Sequence, residues 1–91
     1  MVTDDILKEF KSRMRISHSI EDKNLISILE MSYEDIKSKC GIFDIEEHVR
    51  GRELVYERSR YVYNDSLEFF EDNFLSEITS LGFELVGDDD D

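Results

Sequence analysis

Residues 19–41, SIEDKNLISILEMSYEDIKSKCG, decide the architecture. Leu25, Leu29, Ser32, Ile36 and Cys40 recur at three- and four-residue intervals and fall on one stripe, with Ile26, Ile28 and Tyr33 beside it. That period belongs to a helix with one buried face, not to a strand. Ser19-Ile20-Glu21-Asp22 has the order of a capping box at its start. Asp35 and Lys39 form an i,i+4 pair in the favourable order near its end. Lys37 and Lys39 sit in the last turn, and Gly41 stands where a helix commonly ends. The spacing predicts a helix from Ile20 to Cys40, the most clearly written element of the chain.

Upstream, Thr3 is a good N-cap, and Asp4 and Asp5 complement the positive end of a helix dipole. Ile6, Leu7, Phe10 and Met14 follow at helical spacing, so a first helix is expected over Asp4–Met14, joined to the next by Arg15–Ser19. Downstream, Ile42-Phe43 is an apolar joint, and Asp44 with Glu47 repeats the capping-box pattern. A third helix is expected from Glu46 to Tyr63 or Asn64. Gly51 inside it costs about 1 kcal/mol relative to Ala. Yet Gly51, Val55, Ser59 and Val62 share a face of small residues that admits a close neighbour. Glu46–Arg50 and Glu57–Arg60 are spaced as surface ion pairs.

Asn64-Asp65-Ser66 is a turn signal. Asn73 is placed to cap a short fourth helix over Phe74–Ser80, stopped by Gly82. Phe83-Glu84-Leu85-Val86 alternates like a short strand or extended arm, which would need another chain to pair with. Asp88–Asp91 is a low-complexity run expected to be disordered. Proline is absent, where about 5% is average, so nothing interrupts long helices. The expected fold is all-α: a small bundle of three to four helices over residues 1–81, followed by an extended acidic C-terminal arm over residues 82–91.

At 91 residues, one domain is expected, and its core is small. Eleven Lys and Arg against 23 Asp and Glu give a net charge of −12. The imbalance is segregated. Residues 1–60 hold all 11 basic residues and 13 acidic ones, whereas residues 61–91 hold 10 acidic residues and no basic one. Such a chain lacks the basic footprint that neutralises phosphates or binds an anionic membrane surface. It has no run of about 18 apolar residues and no signal-peptide pattern, so a soluble, non-exported chain is expected. Its single cysteine cannot form an internal disulfide, which fits a reducing compartment. The acidic end reads either as a solubilising tail or as an anionic surface that repels DNA or docks on a basic partner.

No Gly-rich phosphate loop and no nucleophile elbow occur. His18 and His48 stand apart in sequence without metal-ligand spacing, and Cys40 lies on the apolar stripe, where a buried inert thiol is expected. No catalytic residue, metal or cofactor is expected, and the chain is read as a non-enzyme. The densest positive stretch is Arg50, Arg52, Arg58 and Arg60, interleaved with Tyr56, Tyr61 and Tyr63. It reads as a subunit interface, with a solvated helix face or a nucleic-acid surface as the alternatives. The late phenylalanines Phe69, Phe70, Phe74 and Phe83 lie in an otherwise acidic stretch, and three helices leave some of them for a partner. The candidate interface is therefore Arg50, Arg52, Tyr56, Arg58, Arg60, Tyr63, Phe69, Phe70, Phe74 and Phe83.

Several stretches together resemble a known family. They are Ile6-Leu7-Lys8-Glu9-Phe10, Arg15-Ile16, Glu21-Asp22-Lys23-Asn24-Leu25-Ile26, Tyr33 and Lys39-Cys40-Gly41. The strongest are Tyr61-Val62-Tyr63-Asn64-Asp65 and Glu68-Phe69-Phe70-Glu71-Asp72-Asn73-Phe74-Leu75-Ser76-Glu77-Ile78. Over residues 4–86 the chain resembles the head–tail connector (adaptor) proteins of tailed bacteriophages, at the level of pattern. The resemblance implies a helical bundle that assembles as a closed ring, a dodecamer matched to the portal. It implies portal and tail-side connector proteins as partners, DNA passing through without specific binding, and a place in the virion after assembly in the host cytoplasm. It transfers no catalytic residue. The competing reading is an acidic regulatory interaction protein, a DNA mimic or antitoxin-like inhibitor. A weaker third is a helical DNA-binding module that uses the third helix.

Overall fold

The computed structural model describes residues 2–89, with side chains through Gly87, and four α-helices carry the described residues. Helix α1 spans Asp4–Met14, the expected range. The Thr3 hydroxyl accepts the Ile6 N–H at 3.3 Å, and Arg15, at φ 59°, ends the helix in the left-handed region. Helix α2 spans Asp22–Cys40. It starts later than expected because the Ser19 capping box does not form. Glu21 takes the N-cap position without a side-chain bond, and Ser19 contributes its carbonyl to the Asp22 N–H. Gly41 closes α2 at φ 120°, a conformation that L side chains rarely adopt; a Cβ there would meet Leu85 only in ordinary contact at 3.4 Å, so the turn and not the packing calls for glycine.

Helix α3 spans Val49–Tyr63, three residues inside the expected start. Core burial decides this. Ile45 is buried and its N–H donates to the Tyr33 hydroxyl at 3.3 Å, which draws the preceding joint into the core. Asp44 then bonds the Glu46 N–H at 2.9 Å in a local turn, and the cap passes to His48, whose Nδ1 accepts the Gly51 N–H at 3.1 Å. The small-residue face is used as anticipated, although its first neighbour is a side chain: Gly51 lies under the Phe43 ring.

Asn64-Asp65-Ser66 turns as expected, with Asp65 at φ 57°. A 3₁₀ turn at Leu67–Phe69 leads into α4, Phe70–Asp89. The expected helix start at Phe74 corresponds to a break inside α4, where Phe74 leaves helical geometry (φ −119°, ψ 18°). The stop at Gly82 and the extended stretch Phe83–Val86 are corrected: both are helical. Leu81 and Leu85, four residues apart, are buried, which gives this segment a helical inner face. The chain therefore stays helical through the stretch read as an acidic arm. Of the expected disorder at Asp88–Asp91, Asp90 and Asp91 lie outside the described residues.

Helices α2 and α3 form the central antiparallel pair. Tyr63 reaches Glu21, Arg58 reaches Ser32, and Gly51 meets Phe43 at the other end. Leu25, Leu29, Ile36 and Val55 are fully enclosed in it, each contributing roughly 1.5–3 kcal/mol on burial. α1 covers one flank of α3 through the Phe10–Tyr56 stack, with centroids 5.9 Å apart. α4 covers the other through Tyr61, whose ring meets Phe70 and Phe74 edge-on at 5.7 Å.

Candidate interaction surface

The arginines of α3 turn out to be occupied within the protomer. Arg50 lies 3.0 Å from Glu84 of α4, beside His48, whose Nε2 is 2.9 Å from the other carboxylate oxygen. Arg52 donates to the carbonyls of Ile45 and Glu46 at 3.1 and 3.0 Å, clamping the α2–α3 joint. Arg58 donates to Ser32 at 3.1 Å, and its Nε lies 3.0 Å from Asp35 Oδ2 in a geometry too bent for a hydrogen bond, so that contact is Coulombic. Arg60 holds Glu57 at 2.5 Å and lies over the Tyr61 ring at 5.3 Å. Glu57 leads in holding the Arg60 guanidinium above its usual range, against partial burial.

The aromatic candidates divide. Tyr56 and Phe70, 2% and 1% exposed, are core residues with no surface to offer. Tyr56 donates to Glu9 at 2.8 Å; Tyr63 donates to Glu21 at 2.9 Å, and that bond leads in raising the Tyr63 phenol above its ordinary value. Phe74 is half-buried against Phe70, whereas Phe69 and Phe83 are exposed. Phe69 and Phe83 are thus the members of the expected set that present open apolar surface.

Sequence reasoning missed the rest of that surface. Leu75, Phe83 and Val86, exposed at 62%, 75% and 65%, fall with Thr79 on one outer stripe of α4. The signal was legible in spacing, but a helix expected to stop at Gly82 cannot carry a stripe past it. From residue 61 to residue 87 the stretch holds six acidic residues and no cation. Lys39, reaching from α2, bridges Asp35 and Glu71 at 2.7 and 2.5 Å. Burial pulls its ammonium down, but the two carboxylates outweigh that and leave it raised. Between α3 and α4, Arg50, Leu54, Glu57, Phe74 and Glu77 line an open groove of about 360 Å³.

Cys40 is buried, its thiol facing the Ile78 carbonyl at 3.4 Å and pushed up by desolvation. Among the described residues no three His, Cys, Asp or Glu side chains converge as metal ligands, and no helix is long and apolar enough to cross a membrane. No family model, curated protein or solved structure matches the chain.

Proposed function

We propose that this chain is a non-catalytic structural adaptor, a head–tail connector of a tailed bacteriophage that forms a ring beneath the portal and lines the DNA channel. The supporting observation is the α4 stripe of Leu75, Phe83 and Val86, an apolar surface on a helix whose charged residues are all acidic. Exposed apolar stripes of this kind mark protein–protein contact. Their anionic surroundings suit a wall past which DNA slides, because like charge keeps the phosphate backbone from adhering. The connector resemblance is strongest in Tyr61–Ile78, which builds the α3–α4 corner and begins that stripe. In this reading the partners are further copies, the portal and tail-side connector proteins, and the site of action is the virion.

The acidic-mimic reading draws on the same lack of cations in residues 61–87. The exposed phenylalanine and leucine favour the adaptor, since imitation of a phosphate backbone calls for charge and not for an apolar stripe. Mixing the purified chain with portal rings of its phage tests the choice, with light scattering and negative-stain imaging as readouts. The expected result is a ring of protomers seated on the portal. A lone protomer that ignores the portal and instead captures a basic DNA-binding protein overturns it.

A further inference from the structure

With the α3 arginines occupied internally, the cations left for a partner lie elsewhere. Lys8, Arg15 and Lys23 are exposed and make no ion pair among the described residues. The Lys11–Asp22 pair, at 2.6 Å, draws the last turns of α1 against the first turn of α2. Lys8 and Arg15 flank Lys11 at i−3 and i+4, and Lys23 follows Asp22, so all three gather at this corner. Ile20, 88% exposed, sits in the same connection. Residues 8–23 hold five basic and three acidic side chains, against six acidic and none basic in residues 61–87.

We infer that the α4 stripe of one copy seats on the α1–α2 corner of the next, in a heterologous contact between unlike faces. This rests on the adaptor reading above and names the surfaces through which its ring closes. Leu75, Phe83 and Val86 supply the apolar centre and Ile20 meets it. Asp72, exposed and without an ion-pair partner among the described residues, precedes Leu75 by three positions and supplies a carboxylate for Lys8, Arg15 and Lys23, whereas Glu77 turns toward the α3–α4 groove. A symmetric α4-to-α4 contact is disfavoured, because α4 brings no cation of its own and Lys39, beside the stripe, is already held by Asp35 and Glu71. A heterologous contact has no such penalty, and it closes into a ring or runs on as a filament. α1 packs on α3 at Tyr56 and α4 packs on it at Tyr61, and the corner residues Lys8, Arg15, Ile20 and Lys23 and the stripe residues Leu75, Phe83 and Val86 are all exposed on one protomer.

Reciprocal charge reversal tests this. One variant carries Arg15→Glu and Lys23→Glu, the other Asp72→Lys; all three positions are exposed, and circular dichroism checks that each variant folds. Each alone is expected to associate about tenfold or more weakly than the wild-type chain in light scattering. Their equimolar mixture regains association, because each reversed face then meets its complement. A second measurement uses cysteine pairs in a Cys40→Ser background. Ile20→Cys with Leu75→Cys is expected to oxidise to a ladder of linked oligomers, and Leu75→Cys alone to remain unlinked. Wild-type rings that neither reversal weakens overturn this interface and leave the adaptor reading standing. A dimer linked through Leu75→Cys alone overturns the unlike-face geometry. A wild-type chain that neither self-associates nor seats on the portal overturns both.

Discussion

Tyr56 shows how one side chain joins fold and charge. Its hydroxyl donates 2.8 Å to Glu9 and lies 3.4 Å from the Ile6 carbonyl, while its ring stacks on Phe10 and accepts Arg13 at 4.8 Å. Burial first, and Glu9 second, push the phenol far above its ordinary value. In return the Tyr56 bond, helped by Arg13 and opposed by burial, holds the Glu9 carboxyl below the usual range. A carboxyl depressed in the folded state stabilises the fold above its unfolded value, and that contribution is lost as pH falls through the folded value. Tyr56→Phe is therefore expected to destabilise the protein by about 1 kcal/mol at neutral pH. The gap from wild type should narrow in acid, as Glu9 protonates in both. Urea titrations at neutral and acid pH check this, and a gap that widens in acid refutes the coupling. Sequence spacing places Tyr56 among four arginines and so suggests a surface. The partner that buries it lies on α1, with Glu9 47 positions away, and no local pattern announces a contact at that separation. The same blindness applies to Arg58, whose partners Ser32 and Asp35 belong to another helix.

Among the helices, what was legible depended on whether a local signal met tertiary competition. α1 and the end of α2 were legible because Thr3 and Gly41 act on their own backbone neighbours. The start of α3 was not, because Asp44 and Glu47 imitate a capping box while the core claims Ile45 between them. Gly82 misled for a related reason. It resembles a helix stop, but Leu81 and Leu85 hold the helix against α2 on either side of it. This has a measurable consequence. A Cβ at Gly82 meets only the Cys40 Cα, at an ordinary 4.0 Å, and no positive φ is required there. Gly82→Ala is then expected to stabilise the protein by up to about 1 kcal/mol, the difference in helix propensity. Thermal melting should rise by a few degrees, roughly 4–8 °C per kcal/mol for a domain of this size. A helix ending at Gly82 gives the opposite result, since alanine is strained in the left-handed exit that a glycine stop adopts.

For the molecule as a whole, contact attraction competes with long-range repulsion. The ion pairs are contacts of 2.5–3.9 Å, mostly at the surface, and each contributes at most about 1 kcal/mol. The net charge of −12 is spread over a body of 46 × 26 × 17 Å, with α4 carrying no cation to offset it. The screening length falls from about 30 Å at 0.01 M salt to about 8 Å at 0.15 M. The longer distance exceeds two of the molecular dimensions, and the shorter is less than half of the smallest. Added salt therefore removes most of the repulsion between distant carboxylates while leaving charges in direct contact largely coupled. Folding stability is expected to rise over that range by on the order of 1 kcal/mol, read as a higher urea midpoint in sodium chloride. The contact between unlike faces responds in the other direction, because its attraction acts across separated surfaces and is screened. Salt should thus tighten the protomer and loosen the assembly. A urea midpoint that drops with salt instead assigns the net stabilisation to the surface pairs, and the anionic helix is then not a source of strain in the isolated fold.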